Sequence, residues 1–248
     1  MSPSTRLLSI IICAYNERRT ILRAIEQAQQ VDLGPGWDQE IIVVDNYSTD
    51  GTRQLLRSVD LPRVNVVFHS ENLGKSASIL SGIDHASGEY FAIFDADLEY
   101  EARDIARMTD AINPENTVAV FGSRTLGGRK VYEYAENYWG VRLLTWLANQ
   151  FFGGSLTDIA VGLKLARVDV VRSMDLSAQD FDFDFELPCE LLKRGYEIKE
   201  VPVAYHPRTA EQGKGLVGMK AFHTGFRWLW ILLKARFSGS AGTTGRKR

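Results

Sequence analysis

Short apolar runs alternate with amphipathic stretches through the first half of the chain, and this alternation restricts the fold more than any other feature. Leu7 to Cys13 reads as a strand, and Glu17 to Gln30 as a helix with Ile21, Ile25 and Ala28 on one face and Asn16 as its N-cap. After the Gly34-Pro35-Gly36 loop come a strand at Glu40 to Val44, a helix at Asp50 to Val59, a strand at Val64 to Phe68 and a helix at Lys75 to Ala86. Tyr90 to Phe94 is a fourth strand, Arg103 to Ile112 a helix ended by Asn113-Pro114, and Val118 to Phe121 another strand. Such alternation implies an α/β fold: a mostly parallel sheet with helices on both faces. Ligands then bind outside the carboxyl ends of the strands. The second half is less regular. Arg129 to Phe152 is helical, Leu163 to Ala166 and Ile198 to Ala204 suit strands, and Phe185 to Arg194 is a helix ended by Gly195. Ser238 to Arg248 is a Gly/Ser/Thr-rich tail whose composition predicts disorder.

Polar residues gather at those carboxyl ends. Asn16 and Glu17 follow the first strand, Asp45-Asn46 the second, and Asp95, Asp97 and Glu99 the fourth. Acids at i, i+2 and i+4 share one side of the chain if the extended conformation continues past Phe94. Clustered carboxylates repel, and hard oxygen ligands suit Mg²⁺ or Mn²⁺. The plainer reading, an acidic loop capping a helix, stays open on these residues alone.

The chain has 248 residues, enough for one large domain, with 29 basic and 31 acidic side chains. From Gln212 onward there are eight basic and no acidic residues, leaving 21 basic against 31 acidic in the body. An acidic body with a basic end predicts an anionic surface as partner, and no nucleic acid. Cys13 and Cys189 read as buried thiols in a reducing compartment. The apolar run Leu7 to Cys13 leads into Asn16-Glu17-Arg18-Arg19 and reads as a strand, not a signal peptide. Trp228 to Leu233 is six residues, where a membrane span needs roughly 18 or more.

Four stretches occur in an order that resembles the family 2 glycosyltransferases of the GT-A fold, and among them the polyprenyl-phosphate (dolichyl-phosphate) sugar synthases. They are Ile12-Cys13-Ala14-Tyr15-Asn16-Glu17; Val43 to Thr52 around Asp45; Asn72-Leu73-Gly74-Lys75 leading to Asp95 through Tyr100; and Glu200 to Arg208 with Gln212-Gly213-Lys214. The resemblance covers about residues 7 to 237 and implies a single glycosyltransferase domain over 1–237, with 215–237 a basic amphipathic helix. It places Ala14, Tyr15, Glu17, Asp45, Asp95, Arg124 and Lys214 at the nucleotide-sugar, Asp45 on the base and Asp95 near base or ribose. Asp97 takes the place of the metal-binding acid and Glu99 that of a second ligand for Mg²⁺ or Mn²⁺. Arg208 and Lys214 match basic residues near the diphosphate and acceptor phosphate, and Glu186 a position near the acceptor. Asn46 and Ala160 depart from frequent acids of the family. Many relatives also continue into transmembrane helices that are not present in these residues.

The implied activity moves a hexose from a UDP- or GDP-sugar to a polyprenyl phosphate at the cytoplasmic face of a membrane. Asp97, Arg208 and Glu186 would carry the chemistry. The alternative is transfer to a sugar hydroxyl in polysaccharide or glycolipid synthesis, which would need a general base, whereas a lipid phosphate is already anionic. Asp182, Asp184 and Glu186 alternate with phenylalanines, sharing one side if extended or forming an acidic helix start. Lys220 to Phe237 interleaves aromatic, aliphatic and basic residues, as in a helix lying among headgroups. The same pattern suits packing on the sheet or a homodimer interface. Two other classes compete: a nucleotidyltransferase, for which the loop after the first strand lacks glycine, and a non-catalytic membrane- or partner-binding scaffold.

Overall fold

A computed structural model of the chain describes residues 5–126, 135–177, 182–208 and 219–237, without the side chains of 135–137 and 219–226. Its centre is a seven-stranded sheet in the order β3-β2-β1-β4-β6-β5-β7. The strands are β1 (Arg6–Ala14), β2 (Trp37–Asp45), β3 (Val64–Phe68), β4 (Tyr90–Ile93), β5 (Ala119–Ser123), β6 (Lys164–Arg167) and β7 (Ile198–Pro202). Strand β6 runs antiparallel to both β4 and β5, and the remaining pairs are parallel. The sheet is therefore mixed but mostly parallel. Six strands end at one edge, and β6 starts there.

The helices are α1 (Ile21–Gln30), α2 (Thr52–Arg57), α3 (Lys75–His85), α4 (Arg103–Asp110), α5 (Ala135–Phe152), α6 (Val168–Arg172), α7 (Phe183–Lys193) and α8 (Met219–Phe237). From β1 the chain steps outward to β2 and β3, then returns across to β4. Right-handed crossovers put α1 and α2 on one face and α3 on the other. A glycine, Gly82, lets α3 close on the sheet, since a Cβ there would lie 2.4 Å from Ile11 Cγ2. The core is continuous: Leu8, Ile10, Ile11 and Ile12 of β1 and Tyr90 to Ile93 of β4 are all fully buried.

Two helices start later than their periodicity suggests. Asn16 is not an N-cap: it sits at φ 58°, its backbone N–H donates to Ser48 Oγ, and its side chain accepts from Thr49 N–H. Those bonds hold residues 16–20 out of α1, which begins at Ile21. Likewise Asp50 stays outside α2 and accepts from both the N–H and the hydroxyl of Thr52. The short α6 has no counterpart in the sequence reading, because five residues carry too little periodicity. Residues 129–134 of the expected long helix lie outside the described residues, as do Lys214 and the tail 238–248.

Candidate active site

Parallel register lines up the strand ends. Ala14 of β1 pairs with Asp45 of β2, and Asp45 with Phe68 of β3. The β1–β4 ladder continues past Ile93, because Phe94 N–H donates to Ile11 O. Asp95 therefore comes alongside Cys13. Beyond it the extended conformation ends, and the expected one-sided row of acids does not form. Leu98 has φ 60°, and Glu99 N–H donates to Asp97 Oδ1 at 3.0 Å. This turn splits the acids: Asp95 faces α3, while Asp97 and Glu99 face the chain after β7.

That later chain is zipped onto the turn. Tyr100 and Tyr205 form an antiparallel bridge with ring centroids 5.2 Å apart, and His206 N–H donates to Glu99 O at 2.8 Å. The Tyr205 hydroxyl donates to Glu99 Oε2 at 2.8 Å, and Arg208 N–H to Glu99 Oε1 at 2.9 Å. The Arg208 guanidinium is thereby delivered among three carboxylates. It donates to Glu17 Oε1 at 2.9 Å and to Asp97 Oδ2 at 3.1 Å, with Nε 3.7 Å from Glu99 Oε1. Its Nε–H is buried and has no hydrogen-bond partner among the described residues. Burial, then the Asp95 and Glu99 charges, push the Asp97 carboxyl up to about 7, against the opposing Arg208 charge. Burial would lower the Arg208 pKa, yet Asp97 and Glu17 raise it.

On the other side of the turn Asp95 Oδ2 accepts from Lys75 Nζ at 2.8 Å. Burial alone would lower the Lys75 pKa, but Asp95 and Asp184 raise it well above the ordinary value. Sequence reasoning gave Lys75 no role; the signal was its place at the first residue of a helix facing a strand-end acid. Asp184, marked in the sequence only by its alternation with phenylalanines, and Lys164, which carried no local signal, join Lys75 here.

Other expected residues fall as follows. Asp45 is fully buried beneath Arg53, whose Nη1 is 3.3 Å away and whose guanidinium lies over the Tyr47 and Phe68 rings. Ala14 is buried, whereas Tyr15 and Tyr47 are exposed at the same edge. Arg124 makes a two-pronged pair with buried Asp158 at 2.7 Å per bond and sits over the Tyr205 ring. The Arg124 charge and hydrogen bonds more than offset burial and lower the Asp158 pKa. Arg124 is thus braced by Asp158 beneath the Tyr205 zipper. Helix α7 also separates the acids that would share one side in an extended chain. Asp182 pairs with Arg227 of α8 at 2.8 and 2.9 Å, and Asp184 with Lys164. Glu186 accepts Ser177 N–H at 2.6 Å, so it is bound up at the start of α7 and not in the Arg208 cluster.

A divalent cation fits this cluster. Among the described residues no set of three His, Cys, Asp or Glu forms a ready-made metal cage. Mg²⁺ or Mn²⁺ at diphosphate sites needs only one or two carboxylates, the other ligands being phosphate and water oxygens. Asp97 and Glu99 supply two, and the crowding that raises Asp97 is what a cation relieves.

The loop before β6 completes the site. A Cβ on Gly162 would lie 2.9 Å from Asp95 Oδ2 and 3.2 Å from Tyr100 Cε2. Gly162→Ala is expected to cost about 1–2 kcal/mol by overpacking and to turn Asp95 away from Lys75. Calorimetric nucleotide titration beside thermal unfolding checks this, and unchanged affinity would place Asp95 outside the ligand's reach.

Residues 9–174 match the model of glycosyl transferase family 2. The low-salt glycan biosynthesis hexosyltransferase of Haloferax volcanii is 25% identical over 91% of this chain, which spans 53% of that relative's length. The polyprenol monophosphomannose synthase of Mycolicibacterium smegmatis is 28% identical, covering 83% of this chain and 79% of its own. The dolichol-phosphate mannosyltransferase of Pyrococcus furiosus is 29% identical over 92% of this chain and 64% of its own. In fold, the chain is similar to Mycobacterium tuberculosis glucosyl-3-phosphoglycerate synthase, solved with Mn²⁺, UDP and phosphoglyceric acid. The TM-score is 0.69 at 20% identity, covering 96% of this chain and 81% of that one. The neighbours are GT-A glycosyltransferases, and the sheet order, the strand-end acids and the family match lead to one conclusion: this chain belongs to glycosyl transferase family 2.

Proposed function

We propose that the chain transfers a hexose from a nucleotide-diphospho-sugar to a polyprenyl phosphate at the cytoplasmic face of a membrane, using Mg²⁺ or Mn²⁺. The observation that carries this reading is Arg208, held among Glu17, Asp97 and Glu99 with its Nε–H lacking a hydrogen-bond partner among the described residues. A site with two carboxylates for a cation and a guanidinium with a donor to spare matches a diphosphate, which needs both. Asp97 and Glu99 would hold the divalent ion, whose chemistry there would be Lewis-acid stabilisation of the departing diphosphate. Arg208 turns from a carboxylate to a phosphate oxygen and stabilises charge as the anomeric bond breaks. The exposed Tyr15 and Tyr47 offer ring faces beside the base, and Lys75 holds Asp95 for the ribose or base.

Two further observations support this acceptor. Glu186 and Asp182, the acids at the start of α7, are engaged by Ser177 and Arg227. A lipid phosphate is already anionic, so it would not need either of these acids released as a general base. The second is an exposed face. Helix α5 presents Trp139, Leu143 and Trp146 at i, i+4 and i+7, and α8, in contact with it, presents Trp230 and Phe237. Arg142, Lys234 and Arg236 are exposed among them. The opposite side of α8 packs on the protein through Leu232 and a Trp228–Phe185 stack with centroids 4.4 Å apart. Among the described residues no helix is long and apolar enough to cross a membrane. Tryptophans beside basic residues suit a helix pair resting in the headgroup layer, each charge adding at most about 1 kcal/mol on an anionic leaflet.

The test combines sedimentation with anionic liposomes and a transfer assay that offers a short polyprenyl phosphate against free oligosaccharides, with UDP- and GDP-hexoses. Salt-sensitive liposome binding and transfer to the lipid phosphate are expected. Transfer to a sugar hydroxyl without liposome binding would replace this acceptor with a polysaccharide.

A further inference from the structure

Lys164 is a lysine with no solvent exposure, in the first position of β6. Its ammonium donates to Asp184 Oδ1 at 3.1 Å and to the Val161 carbonyl. Burying an ion pair is costly, and apolar residues of the same volume often stabilise a core more. Stability alone is thus a weak account of the pair. The second carboxylate oxygen, Asp184 Oδ2, lies 3.8 Å from Lys75 Nζ, and Lys75 holds Asp95 at 2.8 Å. The four groups form a row of alternating charge, Lys164, Asp184, Lys75, Asp95, running from the core to the end of β4. The backbone supports the same contact, since Phe183 N–H at the start of α7 donates to Ser76 Oγ in the first turn of α3 at 3.0 Å.

We propose that Asp184 is a positioning residue: anchored on Lys164, it holds Lys75 in place and thereby aims Asp95 at the nucleotide. This rests on the donor reading of Asp95. Without the Asp184 charge Lys75 and Lys164 repel one another with no carboxylate between them, and Lys75 is drawn off its present line. The same helix start carries Asp182, which grips Arg227 of α8.

A double-mutant cycle read by calorimetry with UDP and GDP in Mn²⁺ tests the proposal. Lys75→Met and Asp184→Asn are each expected to weaken binding about tenfold, and the double variant no more than Lys75→Met alone, as for residues acting in series. The pair Lys164→Met with Asp184→Leu separates positioning from folding. It is expected to unfold at or above the wild-type temperature while binding nucleotide about tenfold more weakly. Wild-type affinity in that folded variant, or additive losses in the cycle, would overturn the proposal alone. A wild-type protein that binds neither nucleotide would overturn the donor reading and this proposal with it.

Discussion

Asp97→Asn is expected to lower hexose transfer by about a hundredfold to a thousandfold, the loss of several kcal/mol of Lewis-acid stabilisation. Asn keeps the shape and the Asx-type bond from Glu99 N–H, so the fold survives. What goes is one of two carboxylates for a divalent ion, in a site whose remaining acids sit around Arg208. Mn²⁺ titration by paramagnetic resonance should show weakened binding in parallel with turnover. Near-normal turnover in Mn²⁺ would remove Asp97 from the metal site. The same variant has a second signature. The Asp97 carboxyl is pushed up to about 7 in the native protein, against an ordinary 3.8. A raised acid binds its proton more tightly when folded, so its contribution is fully present at low pH. It is lost as pH climbs from about 4 through 7. Metal-free protein should lose stability over that window, and Asp97→Asn should flatten the slope. An unchanged slope would mean that Asp97 is not strained by its neighbours.

Arg208→Ala should reduce kcat by about a hundredfold while changing donor affinity far less, as expected for a donor whose bond strengthens as charge builds on the leaving group. Two things make Arg208 suitable. Its guanidinium is held in place by the Tyr205 zipper and Glu99, and its Nε–H is buried with no hydrogen-bond partner among the described residues. Arg208→Lys keeps a charge but loses the planar fork, and should recover only part of the rate. A pure loss of nucleotide affinity with kcat intact would reassign Arg208 to ground-state binding. Removing this cation also leaves Glu17, Asp97 and Glu99 facing each other, so Mn²⁺ should stabilise the Ala variant more than the wild type in thermal unfolding.

The sheet was legible because its strands announce themselves locally. Val64–Phe68 falls where the apolar run places it, and β1, β2 and β4 differ from the reading only at their ends. An apolar run of five or six residues bounded by Gly, Asn or Asp has few alternatives once helices alternate with it. Orientation was less legible. The direction of β6 depends on the path taken by residues 135–163, and its four residues, Lys-Leu-Ala-Arg, say nothing about parallel or antiparallel pairing. Helix starts failed where a side chain found a partner far along the chain. Asn16 has the composition of an N-cap, but Ser48 and Thr49 claim it, and the residues it frees include Glu17, which then reaches Arg208.

The acids after β4 illustrate the division most directly. Their identity and their place at a carboxyl edge follow from the sequence, because an unpaired charge is costly inside a buried strand and collects where the strand ends. Their directions do not. A left-handed residue at Leu98 sends Asp95 one way and Glu99 the other, and no local pattern in Asp-Ala-Asp-Leu-Glu-Tyr marks that turn. The partners are more remote still: Arg208 lies 111 residues from Asp97, and Asp184 lies 20 from Lys164 on a different element. Sequence by itself determined the elements, the edge where polar groups collect and the residue types available there, since these depend on the water preference and conformational range of each side chain. Tertiary structure alone decided which cation meets which carboxylate, because that depends on how segments far apart in the chain are brought together by strand register, the Tyr100–Tyr205 bridge and helix packing.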